Sequence, residues 1–213
     1  MLVGCSGKKA EKPAAVAATD RPQPGFVRLL NLSPGSAQMF DRKRPMASPV
    51  TTNTASAFTT FPSGNRTLEV KGISVDLNVK LELEPGASKM VVLGSSGNTY
   101  STINDPRAPI AGHNVTLLYL DADGAAQTSG PLVTLRSSGT EVVLSEKDQA
   151  ISVPVGNWKV SAAGLGKSQP LSVVPNTIYD LVLVRTKTGR YFEVGLSHVV
   201  FEKPQIGSAS KRN

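Results

Sequence analysis

Three short patterns occur twice in this chain, in the same order and at nearly the same spacing. Val27-Arg28-Leu29-Leu30-Asn31-Leu32 and Val115-Thr116-Leu117-Leu118-Tyr119-Leu120 share V-x-L-L-x-L at an offset of 88 (115 − 27). Phe61-Pro62-Ser63-Gly64-Asn65 and Val153-Pro154-Val155-Gly156-Asn157 share an apolar residue followed by P-x-G-N, at an offset of 92 (153 − 61). Leu81-Glu82-Leu83-Glu84-Pro85-Gly86 matches Leu171-Ser172-Val173-Val174-Pro175-Asn176 at an offset of 90 (171 − 81). Each of these last two leads into an apolar run, Met90-Val91-Val92-Leu93 and Leu181-Val182-Leu183-Val184. Self-similarity at a fixed offset is the signature of a repeated structural unit. The matches predict two copies of one domain, at 26–98 and 114–203, joined by a linker at 99–113.

Each copy reads as strands. Apolar and polar residues alternate in Thr67-Leu68-Glu69-Val70-Lys71 and in Trp158-Lys159-Val160-Ser161, so successive side chains point to opposite faces. Segments 57–61 and 149–153 form the strand ahead of each P-x-G-N turn. There Pro presets φ at the first corner and Gly tolerates a positive φ two residues on. This predicts an antiparallel hairpin at the turn, once per copy, with a second turn at E-P-G and V-P-N. No stretch of 10–12 residues combines a helical period with caps. Gly and Pro total 34 of 213 residues (19 plus 15), above the usual share of roughly 12%. They punctuate the apolar runs as turns between strands should. Apolar residues at 39% suit two modest cores better than one large one. The expected fold is all-β, with six or seven short strands per copy: two tandem antiparallel β-sandwiches, immunoglobulin-like or jelly-roll-like.

The only cysteine stands at position 5, in Leu2-Val3-Gly4-Cys5. That stretch resembles the bacterial lipobox, on Leu2, Gly4 and Cys5. The resemblance implies export, lipid attachment at Cys5, and a periplasmic or outer-membrane-associated location. Residues 6–25 are small, polar and Pro-bearing, as expected of a disordered tether holding a domain off a membrane. A lipoprotein signal also needs an apolar segment of roughly 7–15 residues before the lipobox. Four residues precede Cys5, so either the start has been set too late or the match is accidental. No other segment has the 18 or more apolar residues of a membrane helix. Residues 204–213 are expected to be a disordered basic tail.

The net charge is +7 and the pI about 9.6. Such a balance permits nucleic acid, an anionic membrane or an acidic polymer as partner. The distribution argues against nucleic acid. Cations gather at the ends (Lys8, Lys9, Lys12, Lys211, Arg212) and in one loop, Arg42-Lys43-Arg44, and there is no basic helix, zinc finger or aromatic RNP-like strand. Arg42, Lys43 and Arg44 are the candidate contact with an anionic polymer or partner; a solvated loop is the alternative. Trp158, the one tryptophan, is either a platform for stacking on sugar rings or part of a small core. One Cys and two His, His113 and His198, do not make a structural zinc site. Asp121-Ala122-Asp123-Gly124 starts like a calcium loop, but the ligand series stops there, and it reads as a turn. No G-x-S-x-G elbow is present; Gly94-Ser95-Ser96-Gly97 matches one only superficially. No catalytic residue, metal or cofactor is expected, and an enzyme is not predicted.

The chain resembles the periplasmic accessory protein F family of bacterial alginate O-acetylation. The resemblance spans about 26–200 and rests on Phe26-Val27-Arg28-Leu29-Leu30-Asn31, on Pro62-Ser63-Gly64-Asn65, and on Leu77-Asn78-Val79-Lys80-Leu81. It also resembles a repeat domain of unknown function in secreted bacterial proteins, which carries V-R-x-x-N/H-x-S-P and V-P-x-G; Ser33-Pro34 and the lipobox favour this second likeness. The first resemblance implies a non-catalytic role. The chain would dock with periplasmic or membrane-bound acetylation proteins and assist transfer of acetyl groups to an exopolysaccharide. The other function to be weighed is a carbohydrate- or surface-binding lipoprotein unrelated to acetylation.

Overall fold

Runs such as Leu29-Leu30 and Val91-Val92-Leu93 lack the alternation of a half-exposed strand, and the fold supplies the reason. A computed structural model describes residues 23–72, 75–104, 114–144 and 151–199. Cys5, His113, the tail at 204–213 and most of the expected tether lie outside the described residues. All regular structure among the described residues is β.

The first half holds β1 (Gly25–Asn31), β2 (Ala37–Asp41), β3 (Arg44–Pro45), β4 (Thr54–Ala55), β5 (Thr59–Phe61), β6 (Gly64–Gly72), β7 (Val75–Leu83), β8 (Ser88–Leu93) and β9 (Tyr100–Asn104). The second holds β10 (Asn114–Asp121), β11 (Val133–Ser137), β12 (Thr140–Leu144), β13 (Ile151–Ser152), β14 (Gly156–Ala162), β15 (Gln169–Val173), β16 (Thr177–Arg185) and β17 (Tyr191–Val199). In the first half one sheet has the order β3-β2-β6-β7 and the other β4-β1-β8-β9, with β5 also on β1. The second half repeats this order as β12-β11-β14-β15 and β13-β10-β16-β17. Registers agree as well. Val27 lies opposite Lys89 as Val115 lies opposite Tyr179, shifts of 88 and 90. Arg66 lies opposite Leu81 as Trp158 lies opposite Leu171, shifts of 92 and 90.

Four expectations need correction. The sheets are not wholly antiparallel: β1 pairs in parallel with β8, and β10 with β16. Both members of each pair enter their sheet from the same end, because the chain returns through the other sheet between them. The P-x-G-N segment does not close a hairpin. β5 pairs with β1, whereas β6 pairs with β2 and β7, so the turn carries the chain from one sheet to the other. In the second half β13 pairs with β10 and β14 with β11 and β15, and the turn has the same role. Third, Tyr100–Asn104 is not linker but the edge strand β9, antiparallel to β8. Strands number nine and eight among the described residues, not six or seven per half.

Each half is a sandwich with its own core. Val27, Leu29, Met39, Leu68, Val79 and Val91 fill the first; Val115, Leu135, Trp158, Val160, Leu181 and Leu183 fill the second. A third cluster joins the halves: Leu30, Leu32, Met90 and Val92 meet Leu120, Val182, Val184 and Val194. Hence β1, β8 and β16 are covered on both faces, which is why their sequences are continuously apolar. At one end of this seam Ser95 N donates to Ala122 O (2.7 Å), and Ser101 Oγ donates to Gly124 O. Gly124 has a φ of +86°, and a Cβ there would stand 2.8 Å from Val92 Cγ1, so glycine permits the approach. The C-terminal ends of β8 and β10 thus meet at what we term the far end. The opposite end, where β1 begins, is the entry end.

Candidate functional site

The basic trio sits on the β2–β3 connection. Asp41 pairs with Arg44, which leaves a two-residue loop, Arg42-Lys43, with φ of 48° and 67°. A turn with both φ positive twists in the sense that hairpin strands require, and Asn-Gly is its usual sequence. Holding other L-residues there costs about 1–2 kcal/mol each. Arg42, Lys43 and Arg44 are all exposed. The neighbouring acid, Asp41, is drawn instead to Arg66, 3.4 Å away. Among the described residues none of the three cations has a carboxylate within ion-pair distance. The matching β11–β12 turn of the second half is Ser138-Gly139, neutral, with glycine at the φ of +81°. At this turn, an exposed cationic loop is therefore a property of the first half and not of its counterpart in the second.

Trp158 does not join it. The side chain is 3% exposed, packed in the second core, and its Nε1 donates to Pro154 O at 3.0 Å. As a polymer-contacting platform it is overturned: no ring face reaches solvent. The V-R-x-x-N-x-S-P stretch is likewise structural. Asn31 is fully buried, its Nδ2 donating to Gly35 O and Val50 O while its Oδ1 accepts from Ser33 N and Oγ. Asp121 is a turn residue: Oδ1 accepts from Asp123 N and Ala125 N, both at 2.9 Å. His198 lies on β17. An open groove of about 380 Å³ runs past Met46, Pro49, Val50 and Phe58, and its lining carries no titratable side chain. No group of three His, Cys, Asp or Glu able to hold a metal occurs among the described residues.

Three charged residues, a buried pair and a partly buried carboxyl, lay outside the candidate residues read from the sequence. Arg28 and Asp180, each 2% exposed, pair across the seam at 2.5 Å. Thr116 Oγ1 donates to the same carboxylate, and the Arg28 guanidinium lies 4.7 Å from the Phe58 ring centre. Their signal was a charge inside an apolar run, V-R-L-L and Y-D-L-V, where the other copy has Thr116 and Met90. Glu193 on β17 faces Leu183, and its Oε2 is buried with no hydrogen-bond partner among the described residues. Burial pushes this carboxyl up to about 7.

No family model matches the chain, and no curated protein matches it at a significant level.

Proposed function

We propose that the chain is a non-catalytic accessory protein of the bacterial cell envelope. Lipid on Cys5 would hold it at a membrane, and its β2–β3 turn would dock with the proteins that O-acetylate an alginate-like exopolysaccharide. The observation that carries this reading is the turn itself. Arg42 and Lys43 occupy backbone positions where glycine or asparagine would be less strained, and they hold three cations out of reach of any described carboxylate. Strain kept at an exposed, charged position argues for a role of the side chains rather than of the turn. Place supports it too. β2 runs from the far end toward the entry end, so the trio points to the side where the segment following Cys5 joins β1. A chain anchored through Cys5 would present that side to membrane-associated partners.

The test is genetic and chemical. Replacing Arg42, Lys43 and Arg44 with serine should lower the acetyl content of the exopolysaccharide at unchanged protein level. Unchanged acetylation would refute the reading. The charge of the same trio also suits a carbohydrate- or surface-binding lipoprotein without acetylation partners. That alternative predicts turn-dependent retention on the polymer with acetyl content unaltered.

A further inference from the structure

A second group of cations lies at the far end of the second half. Arg185 ends β16, the β16–β17 turn carries Lys187 and Arg190, and the β14–β15 loop carries Lys167; all four are exposed. Residues 163–168 and 185–191 contain no Asp or Glu. The two segments are held side by side. Tyr191 N donates to Gly164 O at 3.2 Å, and Leu165 bridges to Tyr191. Gly164, at a φ of +82°, makes room: a Cβ there would stand 3.3 Å from Tyr191 Cδ2.

The turn is also ordered from within. Thr186 N donates to Arg190 O (2.7 Å), Gly189 N to Thr186 O (2.9 Å), and Arg190 N to Thr186 Oγ1 (3.1 Å). Asp121 is the strand neighbour of Arg185, but its carboxylate is taken by two backbone N–H groups and by Gln127 Nε2. No ion pair with a described carboxylate engages any of the four cations. The corresponding β8–β9 turn of the first half reads Gly94-Ser95-Ser96-Gly97-Asn98-Thr99 and is neutral.

We propose that Lys167, Arg185, Lys187 and Arg190 form a binding platform for an extended acidic polysaccharide, with its carboxylates bridging the two segments. The backbone that carries the cations is held in place before binding, so binding has only their side chains to order. A membrane surface is the less fitting ligand. Among the described residues the exposed large apolar ones are Tyr100, Leu132, Val143, Val155 and Val174, and none lies in these segments. Next to the cations in sequence stand Ser168, Thr186 and Thr188, whose hydroxyls suit sugar hydroxyls and carboxylates. This site goes beyond the docking role of the β2–β3 turn and does not depend on it.

The test is affinity electrophoresis of the full chain in native gels containing polymannuronate at low salt. Lys167→Gln/Lys187→Gln/Arg190→Gln should weaken retardation about tenfold, as expected for three modest charge contacts. The charge-preserving set Lys167→Arg/Lys187→Arg/Arg190→Lys should bind as the wild type does, and Arg42→Gln/Lys43→Gln/Arg44→Gln should change retardation less than about twofold. Should the neutral triple variant fail to fold, Lys187→Glu at the turn tip is the substitute. Equal retardation of the neutral variant and the wild type would overturn the proposal. So would no retardation of the wild type, or sedimentation with phosphatidylglycerol vesicles in place of polymer binding. Loss of acetylation in the β2–β3 variant and loss of retardation in the far-end variant are separate outcomes, so either reading can fail alone.

Discussion

Arg66 and Trp158 have little in common as side chains, yet they do the same thing. Each donates from a side-chain nitrogen to the proline carbonyl four residues earlier, Arg66 Nε to Pro62 O at 2.9 Å and Trp158 Nε1 to Pro154 O at 3.0 Å. They staple the turn that moves the chain between sheets. Sequence could not reveal this, because the shared feature is a donor position and not a residue type. It left a lone tryptophan suspended between sugar platform and core. Trp158→Phe keeps most of the apolar bulk and removes the donor, so it should lower stability by about 1 kcal/mol in a urea titration. A sugar platform would instead predict normal stability and lost glycan retention. Glu193 makes a different claim at this scale. Burial raises its folded-state value from 4.5 to about 7. Between those values the folded chain keeps a proton that the unfolded chain has released, so this stabilising contribution is full below about 4.5 and is lost as pH rises through 7. The melting temperature should therefore fall between pH 5 and pH 8, and Glu193→Gln should flatten that fall. Parallel profiles for the two proteins would refute the assignment.

Among elements, local chemistry was legible and long-range pairing was not. Alternation exposed β6 and β14, and the Pro-Gly signals marked the turns, because strand period and turn geometry are properties of neighbouring residues. Which sheet a strand joins is not such a property. β5 is three residues long, and its partner β1 lies more than thirty residues upstream of it. The parallel pairs were missed for the same reason; β9, a short turn away from its partner β8, was missed because Tyr100–Asn104 is mostly polar and buries no residue fully. The charge trio was visible as composition; its strained backbone was not, since Arg-Lys is no turn signature. That strain can be measured. Lys43→Gly places the residue that tolerates a positive φ where lysine has 67°, and should stabilise the chain by about 1 kcal/mol in the same titration. The same change removes the middle cation of the trio, so acetylation should decline as stability rises. A gain in both would show that the turn is merely a turn.

In the whole molecule, the two halves bury the same face against each other. Leu32 and Leu120, 88 apart, both lie in the seam, as do Val92 and Val182, 90 apart. Matching patches in contact are the arrangement of a two-fold dimer, here written into one chain. One contact departs from that symmetry. Arg28 and Asp180 pair, whereas the positions that correspond to them hold Thr116 and Met90. A buried ion pair seldom adds much stability, because desolvation offsets its attraction, but it penalises any packing that separates the charges. The pair would therefore fix how the halves seat on one another. Asp180→Ala strands a buried guanidinium and should cost about 3–5 kcal/mol. Because each half keeps its own core, that loss should fall on the seam. Calorimetry should show one transition for the wild type and two for Asp180→Ala. Arg28→Met/Asp180→Leu removes both charges and should recover most of the lost stability as a single transition. If Asp180→Ala still melts in one transition with little loss, the pair does not hold the halves together, and the apolar seam alone sets their packing.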